Sequence, residues 1–217
     1  MATMIRWLRA AALMMAGLMA LACAEEDDPV TATPPVFSVT PVNMSGAYNP
    51  TDSTLGDILF SRPVILPFGG AVDQYSVSRG VEYYTRPGAP VRAVTAGVID
   101  TIITNPVEQS DYSIALICTP GSDYTVYQEH IVNLRVMEHT SVKPGDTLGE
   151  AGTWSDTMRR TGLKVSLGEG TDTRYYCPLN YGSASFNDPH VNLLAEYRRM
   201  GFTPVFDTLC LTGPLRP

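Results

Sequence analysis

Gly80-Val-Glu-Tyr-Tyr-Thr-Arg-Pro-Gly-Ala-Pro-Val-Arg-Ala-Val-Thr-Ala-Gly-Val98 is the stretch that decides the fold. Its second half runs on to Thr104 as a β-branched segment in which Gly97 marks a bulge or bend. Ser113–Cys118 and Tyr124–His130 flank Pro120-Gly121-Ser122-Asp123, which predicts a hairpin with a longer loop. Val142-Lys-Pro-Gly-Asp-Thr-Leu-Gly149 reads as a tight turn feeding a short strand. Leu163, Val165 and Leu167 alternate with Gly162, Lys164 and Ser166, the period of a half-buried strand with two distinct faces. The expected class is therefore mainly β.

One helix is expected late in the chain. Asp188 suits its cap, Pro189 its first position and Gly201 the position after its end. Leu193, Tyr197 and Met200 share a face, and Arg198 and Arg199 favour the last turn. The expected organisation is a signal peptide over 1–22, an acidic and Pro-rich linker over 23–54, a β domain over 55–186 and a helix with tail over 187–217. The linker begins with Glu25-Glu26-Asp27-Asp28 and carries Pro29, Pro34, Pro35 and Pro41, a composition that suits a spacer. No internal repeat is evident.

Arg6 and Arg9 precede an uncharged apolar run from Ala10 to Ala22, too short to span a bilayer and suited to a signal-peptide core. The run ends in Ala20-Leu21-Ala22-Cys23, which resembles the lipobox of bacterial lipoproteins, with Ala20 where Leu is usual. Cys23 is then the lipidation site. Ordinary cleavage at Ala-x-Ala, with Cys23 incidental, is the alternative. Either way the protein is expected to be exported to the cell envelope, touching membrane only through the anchor. The chain has 15 Lys+Arg and 22 Asp+Glu, and the leader holds two of the arginines and no acid. The mature net charge is thus −9, with 13 basic against 22 acidic residues. Long-range attraction to nucleic acid or anionic lipid is excluded by that sign. Beyond Cys23 remain Cys118, Cys177 and Cys210, which an oxidising compartment allows to pair in three ways. Cys177–Cys210 would pin the C-terminal extension, while Cys118 sits in an apolar strand where a free thiol is common.

In order along the chain, these segments resemble the lysostaphin/LytM-type zinc endopeptidases, which cut peptide cross-bridges in bacterial cell walls. Gly88, Pro90, Val91, Ala93, Gly97 and Val98 match the family's Gly-x-Pro-Val-x-Ala-x-x-x-Gly-Val pattern. Tyr127-Gln-Glu-His130 resembles its Tyr-x-His-Leu strand, and Val142, Gly145-Asp146, Leu148-Gly149 and Gly152 match its Gly-Asp turn. Gly162-Leu-Lys-Val-Ser-Leu167 lies where the family has His-Leu-His-Phe-Glu-Val. Biotinyl- and lipoyl-like domains share the Gly-Asp turn but need a lysine in Met-Lys-Met or Asp-Lys-Ala, and neither occurs here. The resemblance implies a duplicated-hybrid-motif antiparallel β sandwich with a groove and a short helical extension.

The chemistry departs from the family's. A catalytic zinc needs three protein ligands and an open position for water. At the three ligand positions this chain has Ser78, Glu82 and Lys164, of which only Glu82 is a usable ligand near neutrality. The base position holds Gly162, which cannot move a proton. His130, His139 and His190 are the only histidines, and each reads as a surface or strand-edge residue. Strand alternation puts Tyr127 and Glu129 on one face and His130 on the other, unless a bulge intervenes. No Gly-x-Ser-x-Gly elbow is present. Cys118 and His130 should lie roughly 20 Å apart along the hairpin at ~3.3 Å per residue.

The catalytic set is therefore expected to be empty and the zinc absent. Glu82, Tyr127, Glu129 and Lys164 form the candidate groove, with Lys164 expected to pair with Glu82 in place of the metal. This reading is a non-catalytic lipoprotein that binds peptidoglycan or an envelope protein, a wall hydrolase among them. Its rivals are an active endopeptidase with an atypical site and a purely structural lipoprotein.

Overall fold

The computed structural model describes residues 33–60, 64–202 and 207–217. The predicted signal peptide and Cys23 lie outside the described residues. Thirteen strands run in chain order: β1 Tyr48–Asn49, β2 Thr54–Leu55, β3 Ile58–Leu59, β4 Ile65–Leu66, β5 Gly80–Thr85, β6 Pro90–Arg92 and β7 Gly97–Thr104. They continue with β8 Tyr112–Ile117, β9 Tyr124–Val132, β10 Ser141–Val142, β11 Thr147–Thr153, β12 Arg159–Leu167 and β13 Arg174–Tyr176. A single helix longer than one turn, α1 Ala184–Arg199, follows among the described residues. The chain thus adopts the expected antiparallel β architecture with a C-terminal helix, and every ladder between named strands is antiparallel.

β12 holds the centre. It pairs with β5 over Arg159 to Lys164 on one edge, and with β9 over Gly162 to Leu167 on the other. β13 takes over the β5 edge from Val165 onward. Leu163 and Val165 turn into the core and are fully buried, beside Val81 and Tyr83 of β5 and Val126 of β9. Each such side chain contributes about 1.5–3 kcal/mol on burial. The opposite face of the three strands is left for Glu82, Glu129, Gly162 and Lys164. Gly80 belongs to this face too, and a Cβ there would collide with the Leu163 carbonyl, so only glycine lets β5 approach β12 this closely.

Two expectations need correction. The spacer does not extend to residue 54: Phe37 and Val42 are fully buried, Phe37 donates its N–H to Tyr181 O at 2.8 Å, and β1 already begins at Tyr48. An apolar side chain every few residues overrides the proline content. The helix also starts earlier than Asp188. Ser183, in extended conformation, precedes Ala184, and Pro189 lies inside the second turn. Pro189 costs one helical hydrogen bond there. The helix start is held instead by the Asn187 amide, which donates to Leu179 O and Gly182 O at 3.2 and 2.9 Å, and by the Ser183 N–H donating to Phe37 O at 2.8 Å. Gly201, at φ +83°, follows its end.

Helix and sheet are joined by a buried pair. His190 donates from Nδ1 to Phe186 O at 2.8 Å, so its Nε2 is left to accept from Tyr83 OH at 2.9 Å. Burial pushes the His190 pKa down to about 4, against the smaller opposing effect of the Phe186 carbonyl. A proton on Nε2 would place a net charge in a buried site. In the unfolded chain this group titrates near 6.5, so the unfolded state binds more protons between pH 6.5 and about 4. Stability contributed by neutral His190 is complete above that window and lost as pH falls through it, by on the order of 3 kcal/mol. Thermal unfolding across pH 4 to 7 should show a flatter pH dependence in His190→Gln than in the wild type. Parallel curves would contradict the role given to this pair.

Candidate functional site

The β12 register brings two carboxylates to one residue. Gly162 stands opposite Glu82 on β5 and opposite Glu129 on β9. Arg160 and Lys164, two residues to either side along β12, share its face. The four charges close as two crossed pairs. Arg160 Nη1 lies 3.3 Å from Glu82 Oε2, and Lys164 Nζ lies 2.6 Å from Glu129 Oε1. All four side chains are only 17–24% exposed. The expected Lys164–Glu82 pair is therefore wrong. Gly162 faces both acids, so the register leaves each of them free to turn either way along β12, and Arg160 takes Glu82.

Arg160 is held from its other side. Its guanidinium lies over the Trp154 ring at 4.3 Å, and Trp154 meets Tyr84 edge-on at 5.9 Å. At the opposite end, Ser78 is 6% exposed, and its hydroxyl donates to Gly80 O at 2.9 Å and accepts the Gly80 N–H at 3.3 Å. Ser78, Glu82, Glu129, Gly162 and Lys164 all line one cavity of about 180 Å³. Tyr127, which faces Lys164 in register, is outside its lining.

Tested against a zinc, this set does not fit. Among the described residues no three His, Cys, Asp or Glu side chains converge. Glu82 and Glu129 are each bound to a cation, the Lys164 ammonium has no lone pair, and the Ser78 hydroxyl is engaged by Gly80. A zinc would need a third neutral or anionic donor and would have to displace two ion pairs.

His130 differs from its expected surface setting. Tyr112 faces Ile131 while Ile114 faces Gln128, so β9 carries one extra residue against β8. His130 sits in that bulge at φ +56°, a left-handed conformation rare outside glycine. Its Nδ1 meets Asp111 Oδ2 at 2.8 Å, and Asn105 donates to the same oxygen at 3.1 Å. Burial would raise the Asp111 carboxyl, but the hydrogen bonds from His130 and Asn105 and the charge of Arg160 hold it below the usual range. Asp111 Oδ1 and Arg160 Nε are both buried without a partner. Neither Asp111 nor Arg160 lies in a matched motif, so the motifs do not point to them. Period-two spacing from Gly162 was the available signal for Arg160.

The fold resembles the lysostaphin/LytM type. Structural matches include a mutant of the catalytic domain of the prophage-encoded M23 protein EnpA from Enterococcus faecalis, at 18% identity and TM-score 0.43, covering 58% of this chain and 98% of that one. The catalytic domain of the antimicrobial peptidase lysostaphin from Staphylococcus simulans matches at 17% identity and TM-score 0.40, over 48% of this chain and 78% of that one. Csd3 from Helicobacter pylori matches at 14% identity and TM-score 0.45, over 77% of this chain but 42% of its own length. No family model matches the sequence, and no curated protein does. Matches of this size record a partial likeness of fold and carry no activity with them.

The remaining candidates lie away from the groove. Cys177 and Cys210 form a disulfide with Cα atoms 5.6 Å apart, tying the end of β13 to the tail. Among the described residues Cys118 is the free thiol, and burial pushes its pKa up to about 11, which leaves it protonated and a poor nucleophile. His139, at φ +63°, lies in a turn and donates its backbone N–H to Ile99 O. Among the described residues no helix is long and apolar enough to cross a membrane.

The pairing yields a sharp mutational expectation. In a double-mutant cycle, Lys164→Ala and Glu129→Gln should couple by about 1 kcal/mol, between the values for exposed and buried pairs. Lys164→Ala and Glu82→Gln should couple by less than ~0.5 kcal/mol. Chemical denaturation reads both, and the reverse order would restore the Lys164–Glu82 assignment.

Proposed function

We propose that this protein is a non-catalytic LytM-like member of the cell envelope whose groove binds cell-wall peptide or engages a wall hydrolase, and that it carries no zinc. The observation that supports this most is the pair of ion pairs about Gly162, which engage Glu82 and Lys164, two of the three positions where the lysostaphin/LytM resemblance would place metal ligands. A groove lined by both signs of charge suits a peptide, which brings donors and acceptors in alternation. It suits a polyanion poorly, given the acidic chain. Export follows from the leader and anchoring from Cys23, which the mass of the N-terminal peptide tests: an unmodified Cys23 would remove the anchor from the proposal.

One observation favours a second reading, an atypical wall hydrolase. His130 is held by the buried Asp111 in a strained bulge, an arrangement that also serves to orient a general base. A single set of assays separates the two. The purified protein should hold no stoichiometric zinc, should sediment with purified wall, and should release no soluble wall fragments with or without a chelator. Fragment release abolished by His130→Ala would establish the hydrolase reading instead, and failure to sediment would remove wall binding.

A further inference from the structure

The Ser78 end of the groove carries more positive charge than its acids neutralise. Lys164 has Glu129, but Arg79 has no ion pair among the described residues. Its Nε donates to the Arg216 carbonyl at 3.1 Å, which leaves both terminal nitrogens of the guanidinium free. That carbonyl is set in place by the tail, because Leu215 and Tyr175 exchange backbone hydrogen bonds of 2.8 and 2.9 Å. Both cations approach the ring of Tyr175, Arg79 at 5.5 Å and Lys164 at 5.9 Å from its centroid. Both also line the same cavity. Glu82 and Glu129 both line the cavity but are taken by Arg160 and Lys164, so Arg79, drawn to the same ring and cavity as Lys164, leaves a place for a further carboxylate.

The shape narrows the class. A guanidinium with a free fork pairs two parallel N–H bonds with a planar carboxylate. Val72 and Val77 give the cavity an apolar rim, and Gly80 and Gly162 leave its floor without side chains. At about 180 Å³ the cavity is smaller than the ~300–1,000 Å³ that encloses a drug-sized ligand, so it admits a chain terminus rather than a length of chain. Glu82 and Glu129 lie further along, where amide N–H groups or an ammonium of the same ligand would meet them. A ligand of several negative charges would meet those acids as well, and they disfavour it.

We propose that Arg79 and Lys164 form a subsite for the free C-terminal carboxylate of a short peptide with small apolar side chains. The proposal rests on the groove-binding reading and specifies which part of the ligand that groove recognises. Calorimetric titration of the full chain in detergent tests it, with N-acetyl-alanyl-alanine in its L,L and D,D forms, the matching C-terminal amides, and inorganic phosphate. At least one isomer of the acid should bind the wild type about tenfold or more tighter than its amide. Arg79→Gln should abolish that preference while leaving the unfolding midpoint little changed, because Arg79 is exposed and its one hydrogen bond is to the tail. Arg79→Lys, which keeps the charge and loses the fork, should fall between. Equal binding of acid and amide, a preference that survives Arg79→Gln, phosphate bound as tightly as the peptide, or no binding of either acid would each overturn the subsite. Wall sedimentation without dipeptide binding would sink this inference alone. Dipeptide recognition without wall sedimentation would support it and sink wall binding.

Discussion

Everything at the groove depends on how β12 is flanked. A strand paired on both edges presents each outward residue to two neighbours, and here the residue between two glutamates is a glycine. Two carboxylates brought to one point repel, and at four-tenths of a nanometre that repulsion is about 4 kcal/mol at an effective dielectric of 20. Arg160 and Lys164, one step along the strand on each side, relieve it by drawing the acids apart. A Cβ at Gly162 would make ordinary contacts with both acids, 3.4 Å from Glu129 Oε2 and 3.8 Å from Glu82 Cγ, so any longer side chain there would fill the space between them. The cluster crosslinks β5, β12 and β9 while leaving a hollow above them.

Much of this was written plainly in the chain. The alternation from Gly162 to Leu167 gives both the strand and its two faces. The Gly-Asp turn gives the entry to β11, and Glu82, Gly162 and Lys164 line one cavity. What could not be read is what depends on register between distant strands. Whether Lys164 meets Glu82 or Glu129 turns on a competition with Arg160, which no motif contains. His130 is the clearest case: a bulge with a non-glycine residue at positive φ leaves no compositional mark, yet it pairs His130 with Asp111.

The edges of the fold were misjudged for a different reason. Proline and polar content made residues 33–54 look like a spacer, but Phe37, Val42 and Met44 are spaced to reach the core, and burial outweighs local propensity. Likewise Pro189 suits a helix start, but the packing of Phe186 on Phe37 and of His190 on Tyr83 of β5 carries the helix through it. These additions sit behind the groove. The helix clamps Tyr83, the neighbour of Glu82, and the Cys177–Cys210 link and tail bring the Arg216 carbonyl to Arg79.

The side chains at positions 78, 82 and 164 share one cavity, and on the proposed reading their chemistry alone keeps a metal out. Zinc titration of a Ser78→His/Lys164→His double variant by calorimetry tests it most directly. With two imidazoles beside Glu82, the variant should take up one zinc per chain with micromolar or tighter affinity, while the wild type takes up none. Stoichiometric zinc in the wild type, or none in a folded double variant, would contradict the account.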